Sequence, residues 1–256
     1  MAVPLPLASR RTVTALLTLT AVTGLVDAVS YLRLGRVFVA NMTGNVVFLG
    51  FSAAPHSGVS AVASLIAITG FLLGALAGGR AAHTLAATGP VRWLATAFTG
   101  EAVVLGLVAV LTATSVLPFT GDGRFATIAV LAAALGVQNS TVRHLRAPDL
   151  TTTVLTLTLT GLTADSALTG GPGAKPHRRL GSVAVMLAGA AAGAAILQWS
   201  PAVVIAIAAA LVAAVAVAFM TAVPDRGRRL HPDPSPFDGR GISEPLPQVP
   251  KPRRPQ

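Results

Sequence analysis

Two acidic residues, Asp27 and Glu101, stand inside long apolar runs of this chain. An ionised carboxylate at the middle of a bilayer costs about 2.5–3.5 kcal/mol on insertion scales, so each needs a partner or a task. Asp27 shares one helical face with Thr20, Thr23, Ser30 and Tyr31, at spacings of three, four and seven, which gives the first helix a narrow polar stripe turned toward the protein interior. Two readings stay open for Asp27. It is either a proton- or cation-binding group, or a packing lock near the helix end that bonds threonines or pairs with Arg33. Glu101 has no comparable stripe, so structural locking or a near-surface position competes with a place on a pathway.

The run Asn41-Met42-Thr43-Gly44-Asn45 sets a residue free to adopt positive φ between strong local hydrogen-bonding side chains. This predicts a helix broken in mid-stretch. Lipid tolerates such a break only where protein or a water-filled cavity satisfies the released backbone, and paired breaks in two halves of a chain point to a transport site. The position corresponding to Asp27 is Asn139, next to Gln138. Thr152, Thr153 and Thr156 would form the opposing wall. The plainer alternative is that these amides and hydroxyls only bond helix to helix, at about 0.6 kcal/mol each.

The elements that must position these groups follow from composition. Of 256 residues, 53% are hydrophobic and 11% charged, with a mean hydropathy of +0.70; soluble domains carry roughly a quarter charged residues. Eight apolar stretches can be marked, at 12–31, 37–54, 59–79, 93–117, 125–142, 150–168, 181–199 and 201–223. A full crossing takes roughly 20 apolar residues. Stretches 37–54 and 150–168 are the weak ones, the first short and rich in Asn, the second crowded with threonines. The expected fold is all-α, a polytopic helical membrane protein with six full spans and two short re-entrant or broken helices. Residues 1–11 form a polar lead, 12–223 the membrane domain, and 224–256 a disordered tail with nine prolines and seven Arg or Lys against four acids. Ser9-Arg10-Arg11 resembles a twin-arginine signal, but apolar stretches continuing to residue 223 argue against a cleaved leader.

The chain repeats itself. Gly24-Leu25-Val26-Asp27, Leu32-Arg33 and the Asn41–Asn45 run are echoed by Gly136-Val137-Gln138-Asn139, Leu145-Arg146 and Thr152–Thr156, at offsets of 112 to 113. Gly70, Gly74 and Gly78 form a small-residue packing ridge in one half, and Gly189 and Gly193 in the other. Two halves result, about 12–117 and 125–223. If both short stretches return to the side they entered, Arg10, Arg11, Arg80, Arg92, Arg143, Arg146, the Lys175-Arg178-Arg179 cluster and the basic tail lie inside. Only Arg33 and Arg36 then violate the positive-inside rule, and the halves are oppositely oriented. Eight crossings with parallel halves would put three basic loops outside, so the charge count favours six.

Several chemistries are excluded or unsupported. There is no cysteine, hence no disulfide, thiol or cysteine-zinc chemistry. His56, His83, His144, His177 and His231 pair at no metal-ligand spacing and are expected in loops or the tail. No phosphate loop, nucleophile elbow or dinucleotide fingerprint appears. No enzyme, metal or cofactor is therefore expected. The formal charge of +10 sits between apolar stretches and in the tail, so it reads as orientation signal and membrane-surface charge rather than a nucleic-acid footprint.

The motifs Gly24-Leu25-Val26-Asp27-Ala28, Val37-Phe38-Val39-Ala40-Asn41-Met42-Thr43-Gly44-Asn45 and Gly136-Val137-Gln138-Asn139 followed by Thr152-Thr153 resemble the YoaK-type family of bacterial integral membrane proteins, over about residues 12–222. The resemblance implies a small multi-span protein of the bacterial inner membrane and supplies no substrate. One departure is Leu157, where the family has glycine; Thr160-Gly161 follows one turn later. That leaves a shifted break or a continuous helix in the second short stretch.

The functional expectation is a small-solute, cation or proton-coupled permease whose midplane site is drawn from Asp27, Asn41, Thr43, Gly44, Asn45, Glu101, Gln138, Asn139, Thr152, Thr153 and Thr156. The alternative is a non-transporting scaffold or regulator recruiting partners or lipid through its basic tail. Expected partners are the bilayer, anionic headgroups against a cytoplasmic C-terminal tail, and a second copy of the chain.

Overall fold

The computed structural model describes residues 10–85, 90–145, 160 and 176–221, with side chains described for all but 90, 91 and 176–179. Residues 1–9 of the lead, the tail and nearly all of 150–168, with Thr152, Thr153, Thr156, Leu157 and Gly161, lie outside the described residues, as does Arg146. The described residues belong to one compact unit, Met1–Ala222. They form seven helices and no strand: α1 Arg10–Arg33, α2 Met42–Phe51, α3 Ala61–Leu85, α4 Pro90–Ala113, α5 Arg124–His144, α6 Pro176–Ile196 and α7 Pro201–Met220.

Five of these, α1, α3, α4 over Arg92–Ala113, α5 and α7, are long and apolar enough to cross a membrane. The apolar part of α6, Leu180–Ile196, is shorter. Helix α2 has ten residues. At 1.5 Å per residue it spans about 15 Å, half of a hydrocarbon core of roughly 30 Å.

Local sequence explains the ends. Helix α1 stops in a Schellman turn, in which Gly35 takes φ +102° and the Arg36 N–H donates to Tyr31 O at 3.1 Å. Only glycine takes that conformation without a Cβ penalty. Arg36 follows at φ +57°, so the chain reverses and runs back along α1 in an irregular segment. Helix α7 begins on Pro201 after an extended Ser200, as expected for a proline at the first helical position.

Packing is pairwise: α3 lies against α5, α4 against α7 and α1 against α6, with α1 also touching α5 and α7. Glycines set how closely two of these pairs approach. A Cβ at Gly74 would strike Ala133 O, and one at Gly189 would strike Ala21 O. Likewise, a Cβ at Gly78 would lie 3.1 Å from Val137 Cα, and one at Gly193 would lie 3.1 Å from Leu25 Cα. In reverse, a Cβ at Gly24 would meet Met186 O at 2.5 Å, and one at Gly136 would strike Phe71 O. The α1·α6 and α5·α3 seams are thus built alike, by small residues that let backbones touch.

Leu16, Leu19, Phe98, Leu131, Leu135 and Ile205 are buried, whereas Leu72, Leu73, Leu76, Val103, Val110 and Leu187 are exposed. An apolar surface this extensive faces lipid, not water.

Contacts also sort the helix ends. A Cβ at Gly35 would lie 3.2 Å from the Arg124 guanidinium, and one at Gly58 would lie 3.0 Å from that of Arg36. Arg33 Nη2 donates to Leu197 O at 3.3 Å. The segment carrying α2 therefore leaves and returns at one end of the bundle, and Arg124 joins Arg33 and Arg36 there, a third basic residue where two were expected. At the opposite end the His83 and His144 rings lie 5.9 Å apart and Trp93 lies 6.0 Å from His144. This corrects the placement of the histidines in loops: His83, His144 and His177 belong to helices, because the helices continue into the polar residues that flank the apolar runs.

Candidate functional site

Asp27 occupies the last third of α1 and is buried. Its Oδ1 accepts from both Val39 N and Ala40 N at 3.0 Å. The Gly35 reversal makes this possible, since it brings residues 39 and 40 back beside a helical position twelve earlier. Of the two structural partners expected for Asp27, neither is used: the partners are backbone amides, not threonines or Arg33. The remaining hydroxyls of Thr20, Thr23 and Ser30 donate within their own helix. Thr20 donates to Leu16 O, Thr23 to Leu19 O and Ser30 to Asp27 O, while Tyr31 stacks on Phe38 at 5.1 Å.

Asn45 holds the same segment from the other side. Its Oδ1 accepts from Phe38 N at 2.9 Å and its Nδ2 donates to Phe38 O at 2.6 Å, so the carboxamide pairs with the N–H and C=O of one residue as a neighbouring strand would. Asn45 is wholly buried. Irregular backbone inside a membrane domain needs such partners for every amide and carbonyl.

The expected mid-helix break is corrected here. Helix α2 starts at Met42 with Asn41 as its N-cap, the Asn41 Oδ1 accepting from Gly44 N at 3.3 Å. Gly44 lies in the first helical turn and is not among the residues of positive φ. Its lack of a side chain serves packing, because a Cβ there would come within 2.8 Å of the Phe38 ring. Asn41 and Thr43 are exposed. The five residues therefore begin a short helix, and the run before it is irregular.

Glu101 presents the opposite case. It lies midway along α4, is 3% exposed, and neither carboxylate oxygen has a hydrogen-bond partner. A near-surface position is thereby corrected. Its helix face carries the buried Leu94, Phe98, Leu105 and Val108. On α5, which packs against α4, Gln138 is wholly buried; its Nε2 donates to Thr23 Oγ1 at 3.2 Å and its Oε1 has no partner. The hydroxyls of Thr127 and Thr141 on the same helix are buried and unpartnered, and so is Trp93 Nε1 on α4. Buried polar atoms are nearly always paired, so each of these orphans calls for a reason, and the unpaired acid most of all.

Asn139 is half-buried, with Nδ2 donating to Leu135 O at 2.9 Å. The expected residues thus divide. Asp27, Asn41, Gly44 and Asn45 hold the segment before α2 or start that helix, Gln138 joins α5 to α1, and Glu101 stands apart, on a helix that does not pack against α1 among the described residues. Sequence reasoning missed Trp93, Thr127 and Thr141. The last two lie eleven before and three after Gln138, a helical spacing that could have marked them. No group of three or more candidate metal ligands occurs among the described residues.

The family described as "Protein of unknown function (DUF1275)" matches residues 15–218. The chain is 35% identical over 163 residues to the UPF0700 transmembrane protein YoaK of Bacillus subtilis (strain 168), covering 62% of this chain and 68% of that protein. No solved structure matches. With apolar helices long enough to cross a bilayer and a match spanning most of its length, the chain is an integral membrane protein and belongs to the YoaK-type family.

Proposed function

We propose that the protein is a permease of the bacterial inner membrane for a proton, a cation or a small polar solute, with a pathway past Glu101 and Gln138. One observation carries this reading: an acid and an amide carbonyl lie buried in the membrane interior with no partner. A stranded carboxylate costs several kcal/mol in lipid surroundings and persists where a ligand or water repays the cost. With no basic side chain in hydrogen-bond reach, the group suits a positive or neutral visitor.

Six crossings, with α6 as the sixth, complete the reading. The contacts at the two ends support it, because each long helix runs from one end to the other while α2 returns to its own. Arg10, Arg11, Arg80, Arg92 and Arg143 fall at one end and Arg33, Arg36 and Arg124 at the other, so the five-arginine end is cytoplasmic, together with the C-terminus. A duplication of oppositely oriented halves is supported by the glycine seams: Ala21 and Ala133, like Leu25 and Val137, stand 112 positions apart and receive equivalent glycines.

The test is flux in reconstituted vesicles. Proton entry is read by an internal pH dye under an imposed potassium potential, rubidium entry by tracer, and urea or glycerol entry by swelling. At least one should exceed empty vesicles and be abolished in Glu101→Gln. Rates equal to empty vesicles for every probe would overturn the proposal.

A further inference from the structure

We infer that the groove between α1 and α7 at the Arg10 end of the bundle is a binding site for an anionic phospholipid. The groove has a volume of about 540 Å³. Arg10 and Arg11 stand at its mouth, and its wall is Leu211, Ala214, Val215 and Ala218. The two arginines are exposed and, among the described residues, no acidic side chain lines the groove. Thr14 and Thr18 also line it, but their hydroxyls donate to Arg10 O and Thr14 O, which leaves the guanidiniums as its strong donors.

Two guanidiniums above an apolar channel match a phosphate headgroup above an acyl chain. Arginine's planar fork bonds phosphate oxygens in pairs, and the channel wall continues down a helix that is apolar enough to cross the membrane, where acyl chains lie. A single charged headgroup also separates this occupant from the chain's own tail, whose seven Arg or Lys against four acids would be repelled by Arg10 and Arg11. A neutral headgroup such as phosphatidylcholine meets the same wall without the charge gain of about 1 kcal/mol for each basic residue near the surface. The site is independent of the pathway proposed above, since it lies on the outer faces of α1 and α7 and uses none of its residues.

The experiment is native mass spectrometry of the full-length protein released from nanodiscs of mixed phosphatidylglycerol and phosphatidylcholine. The protein should retain phosphatidylglycerol over phosphatidylcholine by about tenfold or more. The pair Arg10→Ala with Arg11→Ala should bring the two lipids to parity, whereas Arg10→Lys with Arg11→Lys should keep part of the preference. Ala214→Trp, at an exposed position, fills the channel without entering the core and should lower retention of phosphatidylglycerol several-fold. Substituting Arg226, Arg228 and Arg229 by Gln should leave the preference unchanged. Preference that survives the double alanine variant, that ignores Ala214→Trp, or that vanishes only with the tail substitutions would overturn the assignment.

Discussion

Asp27 and Glu101 are both carboxylates buried in apolar helices, and their surroundings could hardly differ more. Asp27 spends one oxygen on two backbone amides, so its charge is matched by dipoles that would otherwise be stranded themselves. Glu101 has no partner for either oxygen. In a bilayer an acid can stand as mortar or as a receptor, and the difference lies in whether irregular backbone has been brought within reach. Beside Asp27 the Gly35 turn delivers such backbone. Beside Glu101 the neighbouring elements are regular helices, whose amides are already used.

The sharpest way to break this contrast is truncation at each site. Asp27→Ala strands two buried amides at about 1–3 kcal/mol each and should cost about 4 kcal/mol in thermal or denaturant unfolding in detergent. Asp27→Asn keeps an oxygen facing Val39 and Ala40 and should lose only about 1–2 kcal/mol, the difference between charged and neutral acceptors. Glu101→Leu is expected to move the other way, gaining about 2 kcal/mol or more on insertion scales, while flux disappears. A loss of stability at Glu101 equal to that at Asp27 would erase the distinction. The smallest effect belongs to Asn41→Ala, which removes the α2 N-cap and should cost about 1 kcal/mol without changing flux, since Asn41 only starts the helix. Flux lost in Asn41→Ala with stability intact would move the pathway back to the Asn41–Asn45 run.

How much of this could be read in the sequence depended on the range of the interactions. The long helices are legible because lipid rewards unbroken apolar runs, and the weakness of 37–54 marked a segment whose helix, α2, has only ten residues. The glycine ridges are legible for the same local reason. The role of the Asn41–Asn45 run was misread because an Asn before an apolar run is an N-cap as readily as a breaker, and the partner of Asn45 at Phe38 is defined only once Gly35 has turned the chain. Asp27 could be singled out as costly, but its partners twelve and thirteen residues away depend on that same turn. Glu101, set among aliphatic neighbours, carried no local sign of whether another helix would offer it a donor. The meeting of His83, His144 and Trp93 joins three helices and left no trace in spacing.

One reagent compares the two acids directly. Dicyclohexylcarbodiimide modifies carboxyl groups that take up a proton in apolar surroundings, and peptide mass mapping of the protein treated in native membranes reads both residues at once. The account expects an adduct on Glu101, absent in Glu101→Gln, and none on Asp27, whose oxygen is held by Val39 and Ala40. An adduct on Asp27 with Glu101 untouched would contradict it.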